Sequence, residues 1–348
     1  MAAEFTTRFL REEEYPGWAE KIGAAPGAST YARPDYIEAL CRAAGGRLRV
    51  LVAERDGKPT GGITLYERRD RFGWIVWPRR LLYYNGIVLL PQASIYPSQR
   101  TSVDLQTLAA IERALTAERY ARLRIKSRLL HDVRVFSEAG WAVDPTWTYV
   151  VDIADLGAAR SRVEKNLRRL IGRCEEHGLA VEASEDFDAF FHLHEQTHLR
   201  KGAPLYLPRD AFRAFFRTLR EKALCRLYHA RTRDGQVAAS QLVLTGEHPV
   251  THTVAAGTDE AFLNLGASAF LRWKVFEDLA ASGYQANDLT DAELNPVTHF
   301  KSQLGGRLEL NLELARRDSA RVRMFEGAAA APARARRFIR RLAPTRKD

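Results

Sequence analysis

Apolar residues recur along this chain at two spacings, one typical of helices and one typical of strands. Residues 103–117 and 267–281 repeat aliphatic or aromatic side chains every three or four positions, and this spacing predicts two long helices. Residues 160–174 carry apolar side chains at i, i+4, i+7, i+8 and i+11 counted from Val163, with basic residues between them. That pattern predicts a third, amphipathic helix with a basic outer face.

Two further stretches predict β-hairpins. Residues 51–65 and residues 228–242 each consist of two β-prone runs separated by an Asp-Gly pair, at positions 56–57 and 234–235. An Asp-Gly pair between such runs is a strong hairpin signal because both turn positions accept positive φ angles.

Both hairpins occupy the same place in a repeated order of elements. A helix with proline at its entrance, Pro34 or Pro208, precedes each hairpin, and an apolar strand ending at Gly86 or Gly257, a long helix and another strand follow it. Two copies of one α/β unit are the simplest account.

The repeat defines the expected domains. We expect an α/β fold of two tandem domains, residues 1–150 and 151–318, each a mixed sheet flanked by helices. The segment that links them is apolar and acidic rather than rich in glycine and serine, so the two domains should pack against each other. Ligand sites favour such interfaces.

Composition places the chain among globular proteins and locates its charge. Of 348 residues, 46% are hydrophobic and 28% charged, with a net charge of +10, so neither a disordered nor a fibrous chain is expected. Residues 319–348 hold nine basic and two acidic residues and are expected to form a flexible basic tail. Such a tail can bind nucleic acid, contact an anionic membrane peripherally or keep the protein soluble.

The same composition argues against several other classes. No apolar run reaches the length of a membrane-spanning helix, and the N-terminus lacks a secretory pattern, so a cytoplasmic location is expected. Three scattered cysteines predict neither disulfides nor a zinc site. His194 and His198 could share one face of a helix, but no third ligand is visible; we expect them to serve packing, and we expect no metal.

Three stretches resemble one family. The first is residues 31–40, where aromatic residues are spaced around Pro34 at the start of a helix. The second is the basic run 161–169 together with Gly178. The third is Asp288 at a strand end, followed by residues 299–306, which contain a Phe-Lys pair and a Gly-Gly pair. With the order of elements, they resemble the double-GNAT chains of the FemAB and BioF2-like acyltransferases. The resemblance covers residues 8–315 and implies two GNAT-like domains, the second carrying the main donor site.

The resemblance also implies a reaction, the transfer of an acyl or aminoacyl group to an amine. CoA-dependent GNAT domains carry Q/R-x-x-G-x-G/A before the long helix, where backbone N–H groups hold the pyrophosphate. Here Leu263 replaces the first residue, and only Gly266 with Ser268 remain as a partial cradle. We therefore favour aminoacyl-tRNA as co-substrate, with acyl-CoA, such as acetyl-CoA, as the alternative; no bound cofactor is expected.

The candidate site residues follow from the resemblance and from chemistry. Lys301 is expected to contact donor phosphate or stabilise charge at the reacting carbonyl, and Asp288 to orient or deprotonate the amine. The expected donor and substrate contacts are basic residues, a partial cradle, neighbours of Lys301 and two acceptor contacts in the interdomain cleft: Lys165, Arg168, Arg169, Arg200, Lys201, Gly266, Ser268, His299, Phe300, Tyr84 and Asn85. Each also has a plain structural interpretation, as a solvated basic face, a turn residue or a loop cap.

Partners and competing functions stay open at this point. The acceptor is expected to be a small-molecule or cell-envelope amine, and tRNA is the expected macromolecular partner. An alternative keeps the fold but makes the protein an RNA- or membrane-binding module that acts through its tail. A nucleophilic hydrolase ranks last because the sequence contains no G-x-S-x-G motif.

Overall fold

The computed structural model describes residues 4–294 and 296–326. The first half of the chain contains seven strands and four helices: β1 (Phe5–Phe9), α1 (Tyr15–Gly23), α2 (Pro34–Ala44), β2 (Arg47–Arg55), β3 (Lys58–Asp70), β4 (Gly73–Val76), β5 (Ile87–Leu89), α3 (Pro97–Ala117), β6 (Arg122–Ser127), α4 (Arg134–Glu138) and β7 (Ala142–Asp152).

The second half follows a similar order. Its elements are α5 (Leu156–Arg162), α6 (Lys165–Glu176), β8 (Ala180–Ser184), α7 (Phe187–Arg200), α8 (Arg209–Glu221), β9 (Cys225–Arg231), β10 (Val237–Leu244), β11 (Val250–Thr258), α9 (Ala267–Ala281), β12 (Ala286–Asp288), α10 (Pro296–Ser302) and β13 (Arg307–Arg316). The predicted α/β class, a mixed sheet flanked by helices, is confirmed.

The strands form one continuous sheet in which the last strand of each half crosses to the other half. The order is β1-β2-β3-β4-β6-β13-β7-β12-β11-β10-β9-β8, with β5 paired to β3. Strand β13 lies between β6 and β7, and nine residue pairs join it to β7. Strand β7 in turn pairs with β12. Each half therefore completes its sheet with a strand of the other.

Helices cover both faces of this sheet. On one face α2 of the first half packs with α7 and α8 of the second in a shared aromatic core, where the rings of Tyr36 and Phe215 lie 5.6 Å apart. On the other face α3 packs on the first half and α9 on the second. The expectation that the two halves pack against each other is confirmed.

Local signals predicted several elements closely. Helix α9 has the expected bounds, and the first hairpin turns at Asp56 (φ 49°) and Gly57 (φ 74°). The second hairpin differs. Its loop spans residues 232–236, closed by a hydrogen bond from the Thr232 N–H to the Gln236 carbonyl, and only Gly235 takes a positive φ.

Two local predictions are wrong. The run before Gly86 is not a strand: β4 ends at Val76, Pro78 removes an N–H from any ladder, and paired N–H···O bonds between Arg79 and Leu82 turn the chain. The basic segment is not one helix. Val163 is extended (ψ 132°) between α5 and α6, because the Glu164 N–H is donated to the Gln303 carbonyl rather than to a helix carbonyl.

The start of the expected tail packs on the first half. The Ser319 N–H donates to the Ala121 carbonyl, Val322 is buried, and the ring of Phe325 lies 5.4 Å from that of Phe72. Residues 327–348, which carry most of the basic residues behind the tail prediction, lie outside the described residues. In the part of the chain that is described, no helix has the length and apolarity to cross a membrane.

Candidate active site

A cavity of about 840 Å³ opens where the two halves meet. The first half contributes Tyr31, residues 77–81, Tyr83 and Lys126 of β6. The second half contributes residues 253–256 of β11, the end of α7, Arg272 of α9, residues 289–291 and Lys301 of α10. Strand β11 is irregular here, since the β10–β11 register shifts and leaves Val254 without a partner.

Lys301 lies in the wall of this cavity and anchors the loop after β12. Its ammonium donates to the carbonyls of Thr290 and Asp291, the latter at 2.7 Å. Thr290 (φ 46°) and Asp291 (φ 65°) both take left-handed backbone conformations, which cost free energy for residues other than glycine. The lysine therefore holds a strained loop at the cavity edge.

The charge of Lys301 is tuned by its surroundings. Burial and then the Arg272 guanidinium lower the pKa of Lys301 to about 8, while the carboxylates of Asp291 and Asp288 act in the opposite direction. The ammonium is therefore still mostly protonated at neutral pH. A cation fixed at the edge of a cavity can stabilise an oxyanion that develops there.

Asp288, at the end of β12, is fully buried beneath the cavity. It accepts hydrogen bonds from the Tyr84 hydroxyl (2.8 Å), the Thr148 hydroxyl and the Thr290 N–H (2.7 Å). The guanidinium of Arg128 lies 3.8 Å away. We call these residues, with His252, the Asp288 network.

The network keeps Asp288 ionised. Burial acts to raise the pKa of its carboxyl, but His252, Arg128 and Thr148 outweigh burial and hold the pKa below its ordinary value. Burial lowers the pKa of His252, and Nδ1 of this ring lies 3.4 Å from the carboxylate. A buried carboxylate with a lowered pKa is a weak base at neutral pH, and its geometry suits positioning the 290–291 loop.

Two of the candidate residues, Lys201 and Lys301, line the cavity. Tyr84 and Asn85 lie behind its wall instead: Tyr84 contacts Asp288, and Asn85 bonds to the backbone of β6, accepting from the Lys126 N–H at 2.8 Å. Tyr83 is the cleft-facing neighbour, with its hydroxyl donating to the Trp147 carbonyl.

The donor candidates form a separate surface. Lys165 and Arg169 of α6 are exposed, and Arg168 is half-buried. Gly266 has φ +98°, and a Cβ there would lie 2.6 Å from Cβ of Leu170, so α6 covers the partial cradle. The Ser268 hydroxyl bonds to that of Thr258 at 2.7 Å.

The remaining candidates lie around these two regions. The Arg200 guanidinium donates to the Thr258 carbonyl at 3.0 Å, His299 is exposed, and Phe300 packs against the core under α9. The bond from the Glu164 N–H to the Gln303 carbonyl places the start of α6 beside the end of α10. The basic face of α6 and the Lys301 helix are therefore neighbours.

Sequence reasoning missed several cavity residues, among them Lys126, Arg272 and Tyr83. The Lys126 ammonium lies 3.5 Å from the centre of the Tyr83 ring, and burial lowers its pKa. Arg272 had only a weak signal, its position between the apolar Leu271 and Trp273, in a helix that also carries Lys274, Glu277 and Asp278. Lys126 had none, because it alternates with Arg122 and Arg124 on what looks like a solvated strand face.

His194 and His198 of α7 line another side of the cavity, together with Tyr206. The rings of His194 and His198 lie 4.2 Å apart, and both pack on Tyr206. Burial, and then the neighbouring His198 and Arg80, lower the pKa of His194 to about 3, so that ring is neutral. Within residues 4–294 and 296–326, no group of three or more His, Cys, Asp or Glu side chains is placed to hold a metal ion.

Comparison with known proteins identifies the fold. Residues 161–302 match the family model described as an acetyltransferase (GNAT) domain. The structure of FemX superposes with a TM-score of 0.69 at 12% identity, over 88% of this chain and 96% of that chain. No curated protein sequence matches this chain.

Two further structures share the architecture. The C-terminal domain of a putative lysylphosphatidylglycerol synthetase from Agrobacterium fabrum gives a TM-score of 0.57 at 13% identity, covering 88% of this chain and 93% of its own. A tandem GNAT protein from the clavulanic acid biosynthesis pathway gives 0.52 at 14% identity, covering 91% and 99%. At these identities the likeness establishes the fold, a mixed α/β sheet flanked by helices. One GNAT domain is matched, over residues 161–302, and the division into two such domains stays a prediction.

Proposed function

We propose that this chain, an acyltransferase with a GNAT domain over residues 161–302, transfers an aminoacyl group from aminoacyl-tRNA to an amine bound in the interdomain cavity. The observation that carries the proposal is Lys301: a buried ammonium with a pKa of about 8, fixed at the cavity edge by two backbone carbonyls.

The chemistry needs little more than positioning and one cation. The neutral amine attacks the ester carbonyl of the aminoacyl group, and its carbonyl oxygen gains negative charge that Lys301 stabilises. The new C–N bond forms as the C–O bond to the tRNA breaks, and the released ribose oxygen takes the proton that the amine loses. Asp288 serves this step through the loop that it holds, rather than as the base.

Two features favour a tRNA donor. The exposed Lys165 and Arg169 lie on the helix that adjoins α10, so phosphates on α6 would place a 3′ end near Lys301. Leu170 packs against Gly266, where a CoA pyrophosphate would otherwise approach the start of α9. Among the fold neighbours, the putative lysylphosphatidylglycerol synthetase is named for an aminoacylated lipid, which supports the same class of group.

The second candidate is an acyl-CoA donor. The acetyltransferase domain match includes the loop before α9, and Gly266 keeps the left-handed conformation at the N-terminus of a 15-residue helix. Movement of Leu170 would open that helix end to a pyrophosphate. The acceptor would be a small-molecule or cell-envelope amine in either case.

Donor binding separates the two candidates. The full chain is titrated with mixed aminoacylated tRNA and with acetyl-CoA, each at 50 and 200 mM salt. We expect tRNA binding that weakens steeply with salt, as contacts to several phosphates require, and that weakens further in Lys165→Gln/Arg169→Gln. Arg217→Gln, an exposed arginine on α8, is the matched control. Micromolar binding of acetyl-CoA with indifference to tRNA would reject the aminoacyl proposal.

Turnover tests the role of Lys301. With the donor and acceptor that the binding experiment identifies, Lys301→Met should lower the transfer rate by roughly 10²- to 10³-fold, as loss of one oxyanion donor does in other enzymes. Donor affinity should be unchanged, because Lys165 and Arg169 are intact. A variant that transfers at the normal rate would remove Lys301 from the mechanism.

A further inference from the structure

The interdomain cavity carries an excess of positive charge that the protein leaves unbalanced. Its lining contains six cationic side chains and two carboxylates, those of Asp291 and Glu313. None of the six forms an ion pair within 4.0 Å with a carboxylate of residues 4–294 and 296–326, although ion pairs are common elsewhere on the chain. The six are Arg79, Arg80, Lys126, Lys201, Arg272 and Lys301.

Arg272 is the most constrained of these cations. It stands between the buried side chains of Leu271 and Trp273 on α9. Its Nη1 is fully buried and has no hydrogen-bond partner among the described residues. Burial lowers the pKa of Arg272 to about 10, which still leaves the guanidinium charged at neutral pH. A buried donor group without a partner is costly, and such costs are found where a ligand supplies the missing partner.

Lys201 adds a second charge at the same place. It follows the end of α7 and lines the same cavity, and its pKa is lowered by partial desolvation and then by the charges of Arg200 and Arg272. Arg272 and Lys201 therefore repel each other across the cavity. An anion bound in this part of the cavity would relieve this repulsion and give the buried Nη1 of Arg272 a partner. The neutral His194 and His198 beside them supply no counter-charge.

We propose that Arg272 and Lys201 form an oxyanion subsite that binds a carboxylate or phosphate of the acceptor beside its reacting amine. This inference rests on the proposed function and names its substrate class: the acceptor is an anionic amine. The planar guanidinium suits both oxyanions because it offers two parallel N–H donors. The subsite leaves the proposed role of Lys301 at the carbonyl of the donor unchanged.

Small anions test the subsite without any acyl transfer. The full chain is titrated with inorganic phosphate and with acetate at constant ionic strength, and binding is followed by calorimetry and by the shift in melting temperature. Acetate and phosphate distinguish the two sources of the oxyanion. We expect one of them to bind and to raise the melting temperature, and Arg272→Gln to weaken that binding roughly 10- to 100-fold, as loss of a charge-assisted hydrogen bond requires.

Matched variants keep the result interpretable. Lys201→Gln tests the same subsite from a different element, in case Arg272→Gln folds poorly, and should also weaken binding. Arg217→Gln removes an exposed arginine on α8, outside the cavity lining, and should bind as the parent does. Without added anion, Arg272→Gln should melt at a higher temperature than the parent, because it removes a charged group whose buried Nη1 has no partner among the described residues.

The inference fails if neither anion binds, or if both cavity variants bind the anions as tightly as the parent. Its failure is distinct from failure of the proposed function. Transfer from aminoacyl-tRNA to a neutral amine, without anion binding, would refute the subsite alone. If anions bind in a way that depends on Arg272 but tRNA does not bind, only the proposal of a tRNA donor is refuted.

Discussion

Replacing Asp288 by asparagine removes one negative charge from a fully buried network that both halves of the chain build. Tyr84 and Arg128 come from the first half, and Asp288 and His252 from the second. Asparagine has nearly the same volume, so the change leaves no cavity. It removes the carboxylate that accepts three hydrogen bonds and faces the Arg128 guanidinium at 3.8 Å.

The expected magnitude follows from those contacts. Removing one partner of a buried ion pair costs about 3–5 kcal/mol, because the other charge stays buried. The amide oxygen of asparagine can still accept some of the hydrogen bonds, and Glu309 lies 4.0 Å from Arg128. We therefore expect Asp288→Asn to lower the free energy of unfolding at pH 7 by about 3–5 kcal/mol, a large part of the ~5–15 kcal/mol of a typical protein.

Urea titration of the full chain measures this loss. The free energy of unfolding is extrapolated to zero urea from tryptophan fluorescence and far-UV circular dichroism, with the slope m compared between variants. Thr148→Val is the graded control, because it removes a single donor to Asp288 and should cost about 1–2 kcal/mol.

The pH dependence supplies a second check. Since the pKa of Asp288 is lowered in the folded state, its stabilisation is complete above the unfolded value near ~4 and is lost as pH falls through the folded pKa. The difference between parent and Asp288→Asn should therefore narrow in acid. A cost below about 1 kcal/mol at pH 7, or a difference that widens in acid, would refute the assigned network.

Three further predictions concern single positions. Gly266→Ala should lower the free energy of unfolding, measured in urea, by about 2–4 kcal/mol, because the new Cβ would contact Leu170 and φ is positive. Gly172→Ala is the control: it has open space in α6 and should raise the free energy of unfolding by about 0.5–1 kcal/mol. In the parent, kcat/KM should fall as pH rises through about 8, where Lys301 loses its proton. In Lys301→Arg this fall should disappear from the pH–rate profile, since arginine stays protonated. If the fall is unchanged in the variant, deprotonation of Lys301 does not cause it. The free energy of unfolding of the parent should fall by about 1.4 kcal/mol per pH unit on acidification between the unfolded pKa of His194, near 6.5, and its folded pKa of about 3. In His194→Phe this contribution to the pH dependence should be absent.

Much of the fold was predictable because its signals are local. The apolar spacing of α9 and the Asp-Gly turn at residues 56–57 depend on neighbours in sequence, and both appear as expected. The placement of β13 between β6 and β7 was not predictable. Pairing between distant strands depends on which edges meet in three dimensions, and no local pattern records it.

The candidate site divides in the same way. Lys301 and Lys201 were found because a Phe-Lys pair and a basic loop stand out in sequence, and both line the cavity. Tyr84 was assigned to the cleft, but Tyr83 faces it. Neighbouring side chains in an extended segment point in opposite directions, so an error of one position moves the prediction from the cavity to the core. Arg272 was passed over because the apolar spacing of residues 267–281 predicted a helix whose role is packing.

The exchange of β7 and β13 limits how the cavity can open. Nine residue pairs join these two strands across the boundary between the halves, so the halves cannot swing apart as rigid bodies without breaking a central ladder of the sheet. Entry and release must therefore depend on the segments around the mouth, residues 77–83 and 289–294, which no ladder of that length restrains. We therefore expect the short loops at the mouth to limit the exchange between bound and free substrate, while the central sheet keeps its arrangement.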